Sequence, residues 1–185
     1  MVYILLGSGF EEAEALVTAD LLRRTDIPVS LAGIGGAHVA GSHHITVQAD
    51  LPVEAISLRE GDMVVLPGGM GGVASIEGSP AAMALVRQAA EEPGLRLSAI
   101  CAAPTLLARA GLLPHGTRCV CYPGMEGALS AAGAVPLMDQ AAVTDGKLIT
   151  GRGPGAAFEF GLALIEALKG AGAAAQVRAA LHYGV

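Results

Sequence analysis

Residues 97–104, Leu97-Ser98-Ala99-Ile100-Cys101-Ala102-Ala103-Pro104, read as a short strand that runs straight into a helix. A brief apolar run without polar alternation is the pattern of a strand covered on both faces. Pro104 suits the first turn of a helix, and Gly111 suits its end after Ala110. A strand buried on both sides needs helices above and below it. The stretch therefore predicts an α/β fold with a central, largely parallel sheet.

The same alternation extends in both directions. Val2–Leu6 reads as a first buried strand, followed by a helix over 11–24 with Ala13, Leu16, Val17 and Leu21 on one side. A strand is predicted at 29–34 and a weaker, more polar one at 44–47. Met63–Leu66 is fully apolar and stops at Pro67-Gly68-Gly69. A Gly-rich loop then leads to a helix over 79–91, with Ser79 as N-cap and Pro80 at its first position. A strand at 118–121 and a short helix at 125–131 follow. Strands at 141–144 and Leu148–Gly151 are joined by Asp145-Gly146, a strong hairpin signal. Helices over 156–168 and 173–181 close the chain. No repeat or interior linker interrupts the pattern, so residues 1–185 are expected to form one domain.

Composition narrows the functional classes. The 185 residues carry a formal charge of −6, with 11 Lys+Arg spread thinly along the chain. No basic stripe exists to neutralise phosphates, which argues against nucleic acid as a primary partner. Hydrophobic residues make up 52%, yet only three Phe, three Tyr and no Trp occur, so Ala, Leu, Val and Ile must build the core. Three cysteines are an odd number, and Cys119 and Cys121 lie too close together to staple a small secreted domain. A reducing cytoplasm is the expected location. The short apolar start before Gly7 does not read as a signal peptide. No apolar run approaches the ~20 residues needed to cross a bilayer, so no membrane association is expected.

In open parallel sheets, ligands gather at the carboxyl ends of the strands. Four punctuations fall there: Ser8-Gly9 leading to Glu14, Gly68-Gly69, Cys101-Ala102 and Tyr122-Pro123. All four would face one crevice if the sheet is parallel throughout. At the strand-to-helix elbow, Cys101 would be held strained and accessible. The backbone N–H groups of the new helix would favour its thiolate and lower its pKa. An inert, buried cysteine is the alternative reading. Glu11, Glu12 and Glu14 all fall near a helix start, where carboxylates oppose the dipole. A buried carboxyl facing the sulfur would stay protonated and donate to it, but spacing does not choose among the three. Gly68-Gly69 offers backbone N–H groups for an oxyanion.

Gly7-Ser8-Gly9 lacks the third glycine of a dinucleotide fingerprint, because Glu12 occupies that position. No nucleotide cofactor is therefore expected. His38, His43, His44 and His115 have no accompanying Cys or carboxylate spacing that would announce a metal site. Cys119 and Cys121 read as packing residues, with a resolving thiol as the sharper alternative.

Four segments, Gly9-Phe10-Glu11-Glu12-Ala13-Glu14, Val64-Val65-Leu66-Pro67-Gly68-Gly69, Ala99-Ile100-Cys101-Ala102-Ala103-Pro104-Thr105 and Thr150-Gly151-Arg152-Gly153-Pro154-Gly155, resemble the ThiJ/PfpI superfamily. The resemblance is strongest to the branch of the Parkinson-disease-associated deglycase (the DJ-one branch) and runs nearly the whole chain. It implies a flavodoxin-like three-layer sandwich, a homodimer, and a reactive Cys101 beside a protonated Glu14. It places backbone donors at Gly69 and Ala102, and a pocket formed with Gly68, Ala103, Tyr122, Pro123, Arg152 and Pro154. It implies action on a small aldehyde or glycated substrate, as in glyoxalase III or deglycase chemistry. Its alternative is an oxidative-stress sensor and chaperone working through oxidation of Cys101. Two departures stand out: Tyr122 occupies the place of a common His, and Ala103 that of a common Gly. His43 stands where relatives carry a basic residue near the dimer contact.

Overall fold

The computed structural model describes residues 1–184. The chain begins with β1 (Val2–Leu6), α1 (Glu12–Arg23) and β2 (Val29–Gly33). Three short strands follow: β3 (His38–Ala40), β4 (Thr46–Gln48) and β5 (Leu51–Pro52). The middle of the chain is β6 (Met63–Leu66), α2 (Met70–Gly78), α3 (Pro80–Glu91), β7 (Arg96–Ile100) and α4 (Ala103–Arg109). A small excursion comes next, with β8 (Arg118–Cys119), α5 (Glu126–Ala131) and β9 (Val135–Pro136). The chain ends in β10 (Ala142–Asp145), β11 (Leu148–Gly151), α6 (Ala157–Lys169) and α7 (Ala171–Ala180).

The main sheet has seven strands in the order β10-β11-β7-β6-β1-β2-β5. Every neighbouring pair is parallel except β10–β11. Its five central parallel strands therefore follow the flavodoxin-like 2-1-3-4-5 order, which reverses direction between β1 and β6. That switch point opens a crevice at the carboxyl ends of the two strands.

The buried runs earn their places by alternating between two cores. Val2, Ile4 and Leu6 of β1, with Met63 and Val65 of β6, pack toward α1, α6 and α7. Leu5, Val64, Leu66, Leu97 and Ala99 pack on the opposite face beneath α3, α4 and α5. Both faces are thus covered, which is why these strands need no polar side. Ser79 caps α3 as expected, its hydroxyl accepting from the N–H of Ala82 at 3.2 Å. The Asp145-Gly146 hairpin forms in the predicted register, with Asp145 opposite Leu148.

Three segments differ from the sequence reading. The Gly-rich stretch after Gly69 is not a loop but the helix α2. Its glycines serve close packing: a Cβ on Gly72 would come within 2.6 Å of Phe10 Cα. The polar segment near 44–47 forms a separate hairpin with β3 rather than joining the main sheet. Likewise, β8 pairs only with β9, so Tyr122 does not follow a strand of the central sheet. No described helix is long and apolar enough to cross a membrane.

Candidate active site around Cys101

Cys101 ends the strand-to-helix elbow with a φ of +65°. Left-handed backbone is unfavourable for a residue with a Cβ, costing about 1–3 kcal/mol. Two hydrogen bonds impose it. The Cys101 N–H donates to Gly151 O at 2.9 Å, and its carbonyl accepts from the Tyr122 N–H at 2.8 Å. The first ties the elbow to the neighbouring strand β11. The second brings Tyr122 to the site from the excursion, without a sheet strand behind it. Cys101 keeps 9% of its surface exposed, whereas Cys119 and Cys121 keep none. Those two lie in the core on the other face of the sheet. Their placement is that of packing residues.

The helix geometry of α1 separates the three glutamates. Two residues apart, Glu12 and Glu14 point about 200° away from each other around the axis. Glu14 turns toward the strand ends and is 1% exposed. Its Oε2 accepts from the Gly68 N–H at 2.6 Å. Its Oε1 is buried and has no hydrogen-bond partner among the described residues. The carboxyl lies within hydrogen-bonding reach of the Cys101 sulfur. Gly68 must be glycine for this arrangement, because a Cβ there would meet Cys101 Cβ at 2.6 Å and Glu14 Oε2 at 2.8 Å.

Burial pushes the Glu14 carboxyl up to about 7, against the pull of the Gly68 N–H and the sulfur. Burial also pushes the Cys101 thiol up to about 12, and the charge of Glu14 adds to it. This corrects the expectation of a lowered thiol pKa. The backbone N–H groups of Ala102 and Gly69 do favour the thiolate, but they are outweighed. The two sites are coupled, so the pair loses one proton near neutrality and holds the second tightly. A single negative charge is then shared between oxygen and sulfur. Protonating Glu14 removes the charge that opposes the thiolate. The acid–thiolate arrangement and the carboxylate–thiol arrangement therefore differ only by moving one proton.

An open hollow of about 450 Å³ lies over the sulfur, lined by Glu11, His43, Gly69, Met70, Cys101, Ala102, Tyr122, Met125 and Pro154. A second hollow of about 230 Å³ adjoins it and shares Tyr122 and Pro154. Pro123 and Arg152 line this second hollow, not the first. Gly68 sits behind the sulfur. Ala103 lines neither hollow; it is fully buried in the core on the opposite face. The methyl group that Ala103 adds in place of the common Gly thus packs into the core, away from the pocket. Met70 and Met125 carry no sequence signal for their places in the lining, since each follows a turn whose direction only the fold determines.

Glu12 has a structural part that the sequence reading missed. Its carboxylate accepts from the N–H of His43 at 2.7 Å and of Ile45 at 3.3 Å, and meets His43 Nδ1 at 3.1 Å. Burial would raise its pKa, but these donors outweigh burial and hold it down at about 2. The His43 imidazole is raised in turn by its bond to Glu12 and the charge of Glu11. The absence of carboxylates beside the histidines in sequence is therefore corrected in space. Ligand atoms of Glu11, Glu12 and His43 lie within 4.8 Å of one another. Glu12 is already engaged by backbone donors, so the cluster reads as a clasp between α1 and the 41–45 turn.

The DJ-1/PfpI family model matches residues 1–167. The chain belongs to the DJ-1/PfpI family. Protein dj-1beta of Drosophila melanogaster is 39% identical over 168 residues, covering 90% of this chain and 88% of that protein. The glutathione-independent glyoxalase DJR-1.2 of Caenorhabditis elegans is 31% identical over 160 residues, covering 86% and 83% respectively. The crystal structure of Drosophila melanogaster DJ-1beta superposes with a TM-score of 0.90 at 35% identity, covering 100% of this chain and 98% of that one. The three-layer architecture is thus that of the DJ-1 structures.

Proposed function

We propose that the chain is a cofactor-independent, cysteine-dependent enzyme acting on small α-oxoaldehydes, with Cys101 as nucleophile and Glu14 as its acid–base partner. The observation that carries this reading is a strained, marginally exposed thiol beside a buried carboxyl that is anchored by the Gly68 N–H and that burial pushes above the usual carboxylate range. Kinship with a glutathione-independent glyoxalase supports the substrate class.

The chemistry needs no cofactor. The Cys101 thiolate adds to the aldehyde carbon of methylglyoxal, forming an S–C bond, and the carbonyl oxygen takes a proton from Glu14. The N–H groups of Gly69 and Ala102, which favour the thiolate, would also receive developing negative charge. Glu14, now a carboxylate, removes the proton from that same carbon, and the resulting enediol is protonated at the former ketone carbon. The aldehyde carbon is oxidised and the ketone carbon reduced within one molecule, leaving a 2-hydroxyacyl thioester. Water cleaves the S–C bond, releasing lactate and returning the thiol. Deglycase action would require the same addition to a glycated amine. A cysteine–histidine hydrolase is disfavoured, because Tyr122 holds the place beside the sulfur.

Purified protein incubated with methylglyoxal should yield lactate, and Cys101→Ser and Glu14→Gln should each abolish it. Equal product from wild type and Cys101→Ser would remove the enzyme reading. The sensor reading rests on Cys101 alone, of the three thiols, bordering a hollow. Mild peroxide followed by mass spectrometry should then find oxidation at Cys101, and oxidation spread evenly over the three would defeat it.

The homodimer belongs to the same proposal. Leu16, one turn along α1 from Glu12, and Ile45, in the turn that Glu12 holds, are 37% and 54% exposed. They give the face beside His43 an apolar patch suited to a second copy. Light scattering should return twice the chain mass; a monomer at micromolar concentration would reject this assembly.

A further inference from the structure

Of the nine arginines in the chain, only Arg96 and Arg152 are half-buried. Arg96 opens β7 at the amino end of the sheet, whereas Arg152 directly follows β11 at the carboxyl edge. Arg23, Arg24, Arg109 and Arg118 each pair with a carboxylate, and Arg178 lies over the Tyr183 ring. The guanidinium of Arg152 has no hydrogen-bond or ion-pair partner among the described residues; only its backbone N–H is used, by Ala141 O at 2.9 Å. A guanidinium carries five donors and no acceptor, so a half-buried one without a protein partner is open to an anion.

Its position ties it to the thiol. Gly151 pairs with Ile100 in the parallel ladder, and its carbonyl receives the Cys101 N–H. Arg152 is therefore in step with Cys101 on the adjacent chain segment, where strands run ~4.8 Å apart. The hollow it lines shares two walls, Tyr122 and Pro154, with the hollow above the sulfur. The Tyr122 ring lies against Gly153, where a Cβ would approach it to 3.2 Å. A ligand reaching from sulfur to guanidinium would pass over this ring. The hollow over the sulfur is also lined by Glu11 and His43, and Glu12 is bonded to the same imidazole. Two carboxylates there face one imidazole that they already engage, so an anionic end is better received by the unpartnered guanidinium of Arg152.

We propose that Arg152 is a specificity-determining residue that holds the anionic group of a substrate while its carbonyl sits at Cys101. The site then prefers α-oxoaldehydes bearing a carboxylate over neutral ones, since the planar guanidinium accepts a carboxylate in a two-pronged fit. This deepens the aldehyde reading and rests on it for the substrate's reactive group.

Two measurements test it separately from that reading. Iodoacetate and iodoacetamide alkylate a thiolate by the same displacement of iodide and differ in charge. The ratio of their rates at Cys101 should fall about 3- to 5-fold in Arg152→Gln, the size of a partly solvated ion pair, and largely return in Arg152→Lys. An unchanged ratio in folded Arg152→Gln overturns the subsite. For turnover, kcat/KM for 4,5-dioxopentanoate relative to methylglyoxal should exceed one and drop by a similar factor in Arg152→Gln. Turnover of both aldehydes with a ratio indifferent to Arg152 removes the subsite alone. An Arg152-dependent alkylation ratio without turnover of either aldehyde keeps the anion site and removes the aldehyde reading.

Discussion

Between Glu14 and Cys101 the first proton is lost near neutrality and the second is held far above it, which fixes how the thiol responds to pH. Any singly ionised pair includes some acid–thiolate form, so thiol reactivity follows the first ionisation whichever atom holds most of the charge. The rate of Cys101 alkylation by iodoacetamide should therefore rise with pH to a midpoint at about 7. In Glu14→Gln only the thiol titrates. That midpoint should vanish, and the single remaining transition should fall below about 12 because the opposing carboxylate charge is gone. A wild-type profile like that of free cysteine would contradict the coupling. At this scale the sequence made Cys101 legible, because an apolar run ending at Cys and followed by Ala-Ala-Pro defines an elbow locally. The choice of Glu14 over its neighbours was not legible from spacing. It depends on how α1 rotates against β1 and β6, and residues far away in the chain set that rotation. The thiol's raised pKa was missed for a related reason: burial is a property of the assembled site.

Elements place the chemistry by touching without side chains. Gly68 lets β6 end directly against the Cys101–Glu14 pair. Gly68→Ala should push the sulfur or the carboxyl aside, cutting the alkylation rate at pH 7 by at least about tenfold and costing roughly 1–3 kcal/mol of stability. Chemical denaturation alongside the rate measurement separates the two effects. The clasp from α1 to the 41–45 turn makes a different prediction. Glu12→Ala would leave two backbone N–H groups without their acceptor, a loss of about 2 kcal/mol, and should speed proteolytic cleavage near residues 41–45. Unaltered cleavage would show that the turn stands without it. Helix α2 shows the limit of local pattern. Met70-Gly71-Gly72 has the composition of a loop, yet it forms a helix because Gly9 and Phe10 pack against it at distances no larger residue allows. The hairpin at Asp145-Gly146 needed no such distant information and was read in place.

Across the whole molecule, the parallel sheet and its two covered faces followed from the alternation of apolar runs and amphipathic helices. The detached pairs β3–β4 and β8–β9 did not, since two- or three-residue strands carry too little pattern to announce a partner. The cost of the site also belongs to this scale. Glu14 ionises at about 7 in the folded chain against 4.5 for an ordinary glutamate, so the native state holds this proton more tightly than the unfolded state. Its contribution to stability is complete below pH 4.5 and is lost as pH rises through 7. That loss amounts to about 3 kcal/mol. Glu12 acts in the opposite sense: held down at about 2, its contribution is present above 4.5 and lost only as pH falls toward 2. The Glu14→Gln variant keeps an acceptor for the Gly68 N–H and carries no charge at any pH. It should match wild type in thermal unfolding near pH 4.5 and exceed it by several degrees at pH 8. Because the same substitution should abolish turnover, stability and activity would move in opposite directions through one carboxyl group. An identical difference in Tm at both pH values would mean that no buried carboxylate forms, and that the acid beside the sulfur plays no part in its ionisation.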